Sequence, residues 1–210
     1  MSNLVIRPAQ KRDCTDIARL FLVSSDGLAA YIWSKLAPAA NMSHEGLIEV
    51  GAARYAREDV DFSYRNCRIA EHGGGVVGML HGFPMNAPAE PAEPEPDRVL
   101  RPYAELEDPG SYYVSGLAVQ APFRGRGIGA ALMAAAHRRA AELGRRRISL
   151  ICFDANRAAR NFYSRLGFAE LARRPIHPHP TLHYGAGDAV LLARPVDAAA
   201  IRLIERDHAA

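Results

Sequence analysis

The feature that most constrains this chain is a glycine-rich segment, Arg124-Gly125-Arg126-Gly127-Ile128-Gly129, between an apolar stretch and a helical pattern. The sequence predicts a strand over Tyr112–Val119 and a helix that runs to Leu143, where Gly144 is a typical C-terminal signal. Glycines let a backbone approach a ligand closely, and the first turn of a helix presents free N–H groups to an anion. The segment therefore predicts a site for a pyrophosphate group.

Three classes of ligand use a loop of this kind. A Walker A loop is excluded, because no Lys-Ser/Thr pair follows the last glycine. A dinucleotide fingerprint is formally matched by Gly125, Gly127 and Ala130, which leaves a dinucleotide-binding oxidoreductase as a rival. Against it, Asp154 follows Gly125 by 29 residues (154 minus 125), whereas the fingerprint places its acid after about 20.

The third class is acyl-CoA, and residues 112–168 resemble the acyl-CoA-binding half of the GNAT superfamily of N-acetyltransferases. The Arg-x-x-Gly-x-Gly pattern of Arg124, Gly127 and Gly129 is similar to the pyrophosphate loop of that family. The segment 156–163, followed by Leu-Gly-Phe at 166–168, is similar to its second signature. Both signatures stand in the order that the family has.

The resemblance implies a single α/β domain over residues 1–195, with residues 196–210 as a tail or short helix. Its sheet would be mixed, mostly antiparallel and twisted, with six or seven strands flanked by helices and with splayed strands at the CoA site. The other strands are predicted over residues 4–7, 65–70, 76–83, 147–153, 168–172 and 188–193. The other helices are predicted over residues 13–23, 28–36, 43–57 and 156–166.

The resemblance also implies which residues bind acetyl-CoA, the acyl donor and only implied cofactor. Gly116 suits a bulge from which the strand splays, and the backbone of Leu117, Ala118 and Val119 would bind the pantetheine arm. Asn156 would contact CoA, although a simple helix N-cap explains this residue nearly as well. The residues implied to hold the pyrophosphate are Arg124, Gly125, Arg126, Gly127, Ile128 and Gly129.

Tyr163 is the predicted catalytic residue. A phenol with a pKa near 10 stays protonated at neutral pH and can donate its proton to sulfur as the CoA thiolate leaves. Tyr163 is one position away from the predicted core stripe of Phe162 and Leu166, so we expect its hydroxyl to point into a cleft. The predicted reaction is direct transfer of an acetyl group to a primary amine within a ternary complex.

The proton acceptor for the amine is left open by the sequence. Many relatives carry a glutamate on the strand before the loop, but residues 111–116 hold no carboxylate. The candidates are Asp26, Glu45, Glu49 and His81. Because this carboxylate is missing, an alternative function is left open: a catalytically silent acyl-CoA-binding or sensor module.

Two further features are interpreted as structural or as substrate contacts. Cys152 lies in an apolar strand with no activating base nearby in sequence, which indicates an inert thiol. The histidines His177, His179 and His183 lack an adjacent acid or cysteine ligand, so no metal is expected. The resemblance implies instead that their loop, between the last two strands, borders the acceptor.

Residues 84–110 form an acidic, proline-rich insertion loop with seven prolines, seven acids and two arginines. Such a composition excludes a central strand or a long helix. It fits a functional loop, a semi-rigid flap or an exposed connection without a function of its own. The acids, among them Glu105, Glu107 and Asp108, hint at a cationic acceptor.

The charge and the hydropathy of the chain limit which classes of partner and which cellular locations fit it. The 26 basic residues nearly balance the 23 acidic ones, which argues against nucleic acid as a partner. The longest apolar run and the charged N-terminus fit neither a membrane span nor a signal peptide, so a cytoplasmic location is expected. Richness in arginine and alanine suggests a bacterial source. The acceptor amine (a small molecule, a peptide N-terminus or a lysine) and a homodimer are left open.

Overall fold

The structure, a computed structural model, describes residues 4–36, 43–87 and 93–196. Its strands are β1 (Leu4–Pro8), β2 (Cys67–His72), β3 (Gly75–Pro84), β4 (Tyr112–Val119), β5 (Arg147–Phe153), β6 (Ala169–Pro175) and β7 (Asp188–Pro195). Its α-helices are α1 (Cys14–Ser24), α2 (Leu28–Ser34), α3 (His44–Tyr55), α4 (Arg101–Ala104), α5 (Ile128–Glu142) and α6 (Arg157–Arg165).

The strands of these described residues form one sheet in the order β1-β2-β3-β4-β5-β7-β6. Neighbouring strands are antiparallel at every step except between β4 and β5, which run parallel. The predicted mixed, mostly antiparallel sheet flanked by helices is confirmed. A doubly wound parallel sheet, which a dinucleotide-binding oxidoreductase would need, is excluded by this order.

The sheet separates two apolar layers. Met79 and Leu80 are consecutive residues of β3 and both fully buried, yet they pack in different layers because side chains of a strand alternate between faces. Met79 packs with residues of α1, α2 and α3, whereas Leu80 packs with α5 and α6. The apolar residues of α5 are buried from Ile128 to Ala140, whereas Leu143, to which the helix was predicted to run, is exposed because the helix ends at Glu142.

The acidic connection between β3 and β4 is held against the domain by its own residues. Val99 and Leu106 are buried in a cluster with side chains of β5 and β7. The Tyr31 hydroxyl donates a hydrogen bond of 2.8 Å to Asp97, which also pairs with Lys35. The connection is therefore packed in its described part and is not a fully exposed loop.

Two sequence-based predictions fall partly or wholly outside the described residues. The tail or short helix predicted over residues 196–210 lies outside them except for Val196, and the boundary at residue 195 stays a prediction. Among the described residues, no helix is both long enough and apolar enough to cross a membrane.

Candidate active site

The central feature of the site is a split between the parallel strands β4 and β5. Their residues pair at Tyr112, Tyr113 and Val114 of β4, and in these two described strands the pairing ends there. β4 nevertheless stays paired with β3 as far as Val119. The edge of β4 that faces β5 therefore carries unpaired backbone groups beyond Val114, as predicted for the splay.

A bulge accompanies the split. The register of β3 with β4 shifts so that His81 pairs with Gly116 while Gly82 pairs with Val114, which leaves Ser115 as the extra residue. A Cβ atom at Gly116 would lie 2.7 Å from the Phe21 ring. A glycine is therefore needed at the predicted bulge, because α1 passes too close for any side chain.

The split opens into a cavity of about 1080 Å³. It is bounded by β4, β5, the start of α5, the face of α6 and the turn between α1 and α2. Of the site residues predicted from the sequence, ten line it: Leu117, Ala118, Val119, Arg124, Gly125, Gly127, Ile128, Gly129, Asn156 and Tyr163. Arg126 does not; it is exposed, with its guanidinium 5.6 Å from the Phe123 ring centroid.

The predicted pyrophosphate loop has the backbone that such a site requires. Gly125 and Gly127 have φ angles of 73° and 75°, which glycine adopts without strain. No side chain caps the 15-residue helix α5, so its first N–H groups point into the loop. The Arg124 Nε donates a hydrogen bond of 2.9 Å to the Val119 carbonyl, which fixes this guanidinium at the end of β4.

Tyr163 lies deeper than the sequence suggested. It belongs to the buried layer with Leu166 and Phe168, whereas Phe162 is only partly buried, so the expected order on α6 was wrong. Burial, with the negative charge of Asp26 nearby, raises the pKa of Tyr163 above its usual range. Its hydroxyl has no hydrogen-bond partner among the described residues, and its side chain lines the cavity. The site thus holds a protonated phenol with an unused donor.

Asn156 uses both ends of its amide within the protein. Its Oδ1 accepts a hydrogen bond of 3.1 Å from the Ala159 N–H and caps α6. Its Nδ2 donates a hydrogen bond of 2.8 Å to the Asp26 carboxylate. The N-cap interpretation is therefore present in the structure, together with a link to Asp26 that the sequence did not indicate.

The candidate proton acceptors fall in different places. Asp26 lines the cavity and is the one carboxylate among its described lining residues. It adopts a φ of 47° just before Gly27, where a Cβ would lie 1.9 Å from the Thr181 carbonyl oxygen. Glu45 and Glu49 are exposed on α3 and do not line the cavity. Of these candidates, only Asp26 places a carboxylate in the cavity.

His81 is fully buried behind the cavity wall and acts on it through Ser115. Its Nε2 lies 2.9 Å from the Asp61 carbonyl, which can only accept, so Nε2 carries the proton. Nδ1 then accepts a hydrogen bond from the Ser115 hydroxyl, which lines the cavity. Burial lowers the pKa of His81 to about 4, so the ring is neutral at physiological pH. Sequence reasoning missed Ser115.

Cys152 is a protonated thiol in the cavity wall, and the histidine loop contacts the site at Asp26. Burial raises the pKa of Cys152 to about 11, so this cavity-lining thiol stays protonated. His179 Nδ1 lies 2.9 Å from the Thr181 hydroxyl, and His183 Nδ1 lies 3.5 Å from Asp26 Oδ1. Across residues 4–36, 43–87 and 93–196, no group of three or more His, Cys, Asp or Glu side chains is arranged to hold a metal ion.

A split sheet with an anion-binding loop at its mouth and a free phenol inside defines a protein that holds an acyl-CoA thioester. Comparison with protein families agrees: the model described as the acetyltransferase (GNAT) family matches residues 33–168. This match spans more than half of the chain, so the protein belongs to the GNAT family of acetyltransferases. The predicted enzyme class, an acyl-CoA-dependent N-acetyltransferase with acetyl-CoA as its co-substrate, is confirmed.

Solved structures with the same fold are numerous but distant in sequence. An acetyltransferase shares 23% identity over 92% of this chain and 100% of its own, with a TM-score of 0.62. An N-acetyltransferase from Staphylococcus aureus Mu50 shares 17% identity over 90% and 100% of the two chains, with a TM-score of 0.59. A putative acetyltransferase from Salmonella typhimurium, in complex with its cofactor acetyl-CoA, shares 18% over 93% and 95%, with a TM-score of 0.56. No curated protein sequence matches the chain at a significant level.

Proposed function

We propose that this protein transfers the acetyl group of acetyl-CoA directly to a primary amine while both substrates are bound. One observation carries the proposal: the split between β4 and β5 opens onto the glycine loop, and the cavity so formed also holds the unpaired Tyr163 hydroxyl. A single cavity with both features lets a thioester and an amine meet without a covalent enzyme intermediate.

The donor would lie along the split. The free edge of Leu117, Ala118 and Val119 offers N–H and C=O groups to the amides of pantetheine, as a neighbouring strand would. Arg124 and the first N–H groups of α5 would hold the pyrophosphate, because guanidinium and helix N-termini both favour phosphate oxygens. Backbone N–H groups of β4 would also stabilise the oxyanion of the tetrahedral intermediate.

The acceptor would lose its first proton to Asp26. This carboxylate is mostly buried, with 15% of its side chain exposed, and therefore attracts an ammonium ion more strongly than a surface acid does. Ser115 would accept a hydrogen bond from the amine, because its own hydrogen is given to His81. Together the two groups would turn the nitrogen lone pair towards the thioester.

The proposed transfer conserves atoms and protons. The amine nitrogen attacks the thioester carbon, the C–S bond breaks, and Tyr163 donates its hydroxyl proton to the departing sulfur. The second nitrogen proton returns to the tyrosinate, and Asp26 releases the first to solvent. The products are the amide, the CoA thiol and one proton.

The experiment is the appearance of free CoA thiol from acetyl-CoA across a panel of primary amines, with the acetylated amine identified by mass spectrometry. The proposal requires thiol release that depends on the amine and matches the amide formed. Binding of acetyl-CoA without thiol release from any amine would instead support the silent binding module.

The cytoplasmic location, the bacterial source and the oligomeric state stay predictions or open questions from the sequence. The acidic connection contributes less to an acceptor site than expected. Asp108 pairs with Arg147, and Glu105 pairs with Arg174 at 2.7 Å, so both acids are neutralised within the protein.

A further inference from the structure

The cavity contains a half-buried guanidinium that no carboxylate neutralises in the part of the chain that the structure describes. Arg54, in the last turn of α3, lines the cavity. No carboxylate of the described residues lies within ion-pair distance of it, whereas Arg7, Arg65 and Arg147 all have such partners. Burial, and to a smaller extent the positive charge of Arg57, lowers the pKa of Arg54.

The ring of Phe62 lies close both to Arg54 and to His81. The Arg54 guanidinium carbon lies 5.9 Å from the Phe62 ring centroid. The His81 ring centroid lies 4.9 Å from the same centroid, and His81 bonds to Ser115 at the bulge. Arg54 is therefore about one aromatic ring away from the residues that would orient the amine.

The cavity lining carries charges of both signs. Asp26 stands in the turn between α1 and α2, and Arg54 stands on α3 beside Phe62. An acceptor that bears both an ammonium ion and an anion would satisfy both groups. A purely cationic amine would leave Arg54 unpaired and would be repelled by it.

We propose that the acceptor is an amine that also carries an acid group, as an amino acid does, and that Arg54 binds this acid group. A guanidinium donates two parallel hydrogen bonds to a carboxylate, and a phosphinate or phosphonate offers the same pair of oxygens. Burial of the Arg54 guanidinium without a protein partner costs free energy. A ligand with an acid group would recover that free energy by pairing with the guanidinium. The inference rests on the proposed amine acetylation and replaces the cationic acceptor expected from the acidic loop.

The test compares free amino acids with their carboxamides as acceptors, because the carboxamide lacks the negative charge that Arg54 would bind. The wild type should prefer the acid by about tenfold or more in kcat/KM, the usual size of a hydrogen bond to a charged group. Arg54→Gln should abolish the preference, largely through KM for the amino acid, and Arg54→Lys should keep part of it. Arg57→Gln, which changes the exposed neighbouring cation, should leave the preference intact.

Several outcomes would overturn the inference while leaving the proposed function standing. These are equal use of acids and amides by the wild type, an unchanged preference in Arg54→Gln, and a rise in KM for acetyl-CoA in place of the amino acid. The last would assign Arg54 to the donor. No thiol release from any amine, acidic or amidated, would instead reject the proposed function and the inference with it.

Discussion

The side-chain amide of Asn156 donates a hydrogen bond of 2.8 Å to the carboxylate of Asp26, across 130 positions of sequence. The bond joins the turn after α1 to the N-terminus of α6, the helix that carries Tyr163. It therefore connects Asp26, the proposed proton acceptor for the amine, with the helix that carries Tyr163, the proposed general acid. This hydrogen bond is a direct contact between the proposed acceptor side and donor side of the site.

Asp26→Asn should lower kcat/KM most at neutral pH. An amine with a pKa near 8 or above is then mainly protonated, and the variant lacks the group that takes its proton. The loss should shrink as the pH rises towards the pKa of the amine, because solution then supplies the neutral form. Asparagine keeps the shape, tolerates the positive φ at this position and can still accept from Asn156.

The measurement is kcat/KM against pH for wild type and Asp26→Asn, with Glu49→Gln as the control on an exposed acid outside the cavity. A loss that is the same at every pH would indicate a structural role for Asp26 and would contradict a role in deprotonation.

Arg124→Ala should raise KM for acetyl-CoA by about tenfold, the usual effect of losing a hydrogen bond to a charged group. Both arginines are exposed, but Arg124 lines the cavity and is anchored to Val119, whereas Arg126 does not line it. Arg126→Ala should therefore have a clearly smaller effect. The measurement is KM for acetyl-CoA in each of the two variants. Equal increases in KM would mean that both arginines hold phosphate.

Gly116→Ala should destabilise the fold by about 1–3 kcal/mol, the usual range for overpacking. The new methyl group would meet the Phe21 ring at 2.7 Å and the Ser24 hydroxyl at 2.8 Å. Gly185→Ala is the matched control, because a Cβ there meets nothing within 4 Å. Thermal unfolding of both variants is the measurement; equal melting temperatures would show that α1 can move away from the bulge.

The free energy of unfolding should fall as the pH is lowered from about 6.5 to about 4. The folded state holds the pKa of His81 at about 4, below the unfolded value of 6.5, so the unfolded chain binds more protons in this window. The contribution of His81 is present above pH 6.5 and lost towards pH 4, and it amounts to roughly 3 kcal/mol. Denaturant unfolding across this range tests the slope.

His81→Gln is the comparison for that slope, because it keeps a donor near the Asp61 carbonyl and removes the titration. Its overall stability is expected to be lower, but the part of the pH dependence due to His81 should vanish. The same slope in wild type and variant would contradict a buried neutral His81.

Much of the site could be predicted because its signals are local. The glycine loop and the start of α6 each lie within a few consecutive residues, so the positions of Gly125, Gly127 and Asn156 follow from short patterns. The split at Gly116 could be anticipated because a glycine stands where a strand must tolerate close approach.

The remainder depends on residues that meet only after folding. Ser115 and His81 are 34 positions apart and come together through the shift in register between β3 and β4. Arg54 stands out only once its lack of a carboxylate partner is known. The acids of the connection before β4 suggested a cationic acceptor because their partners, such as Arg147, are distant in sequence.

The most direct test of the central claim is kcat for Tyr163→Phe, measured with the best amine acceptor beside Tyr64→Phe. Tyr64 bonds to Glu58 outside the cavity and is a matched loss of one hydroxyl. The account predicts that kcat falls about 10²-fold in Tyr163→Phe, the lower range for a lost general acid, with KM for acetyl-CoA little changed. Equal kcat values in the two variants would contradict the role of Tyr163 as the acid that protonates CoA.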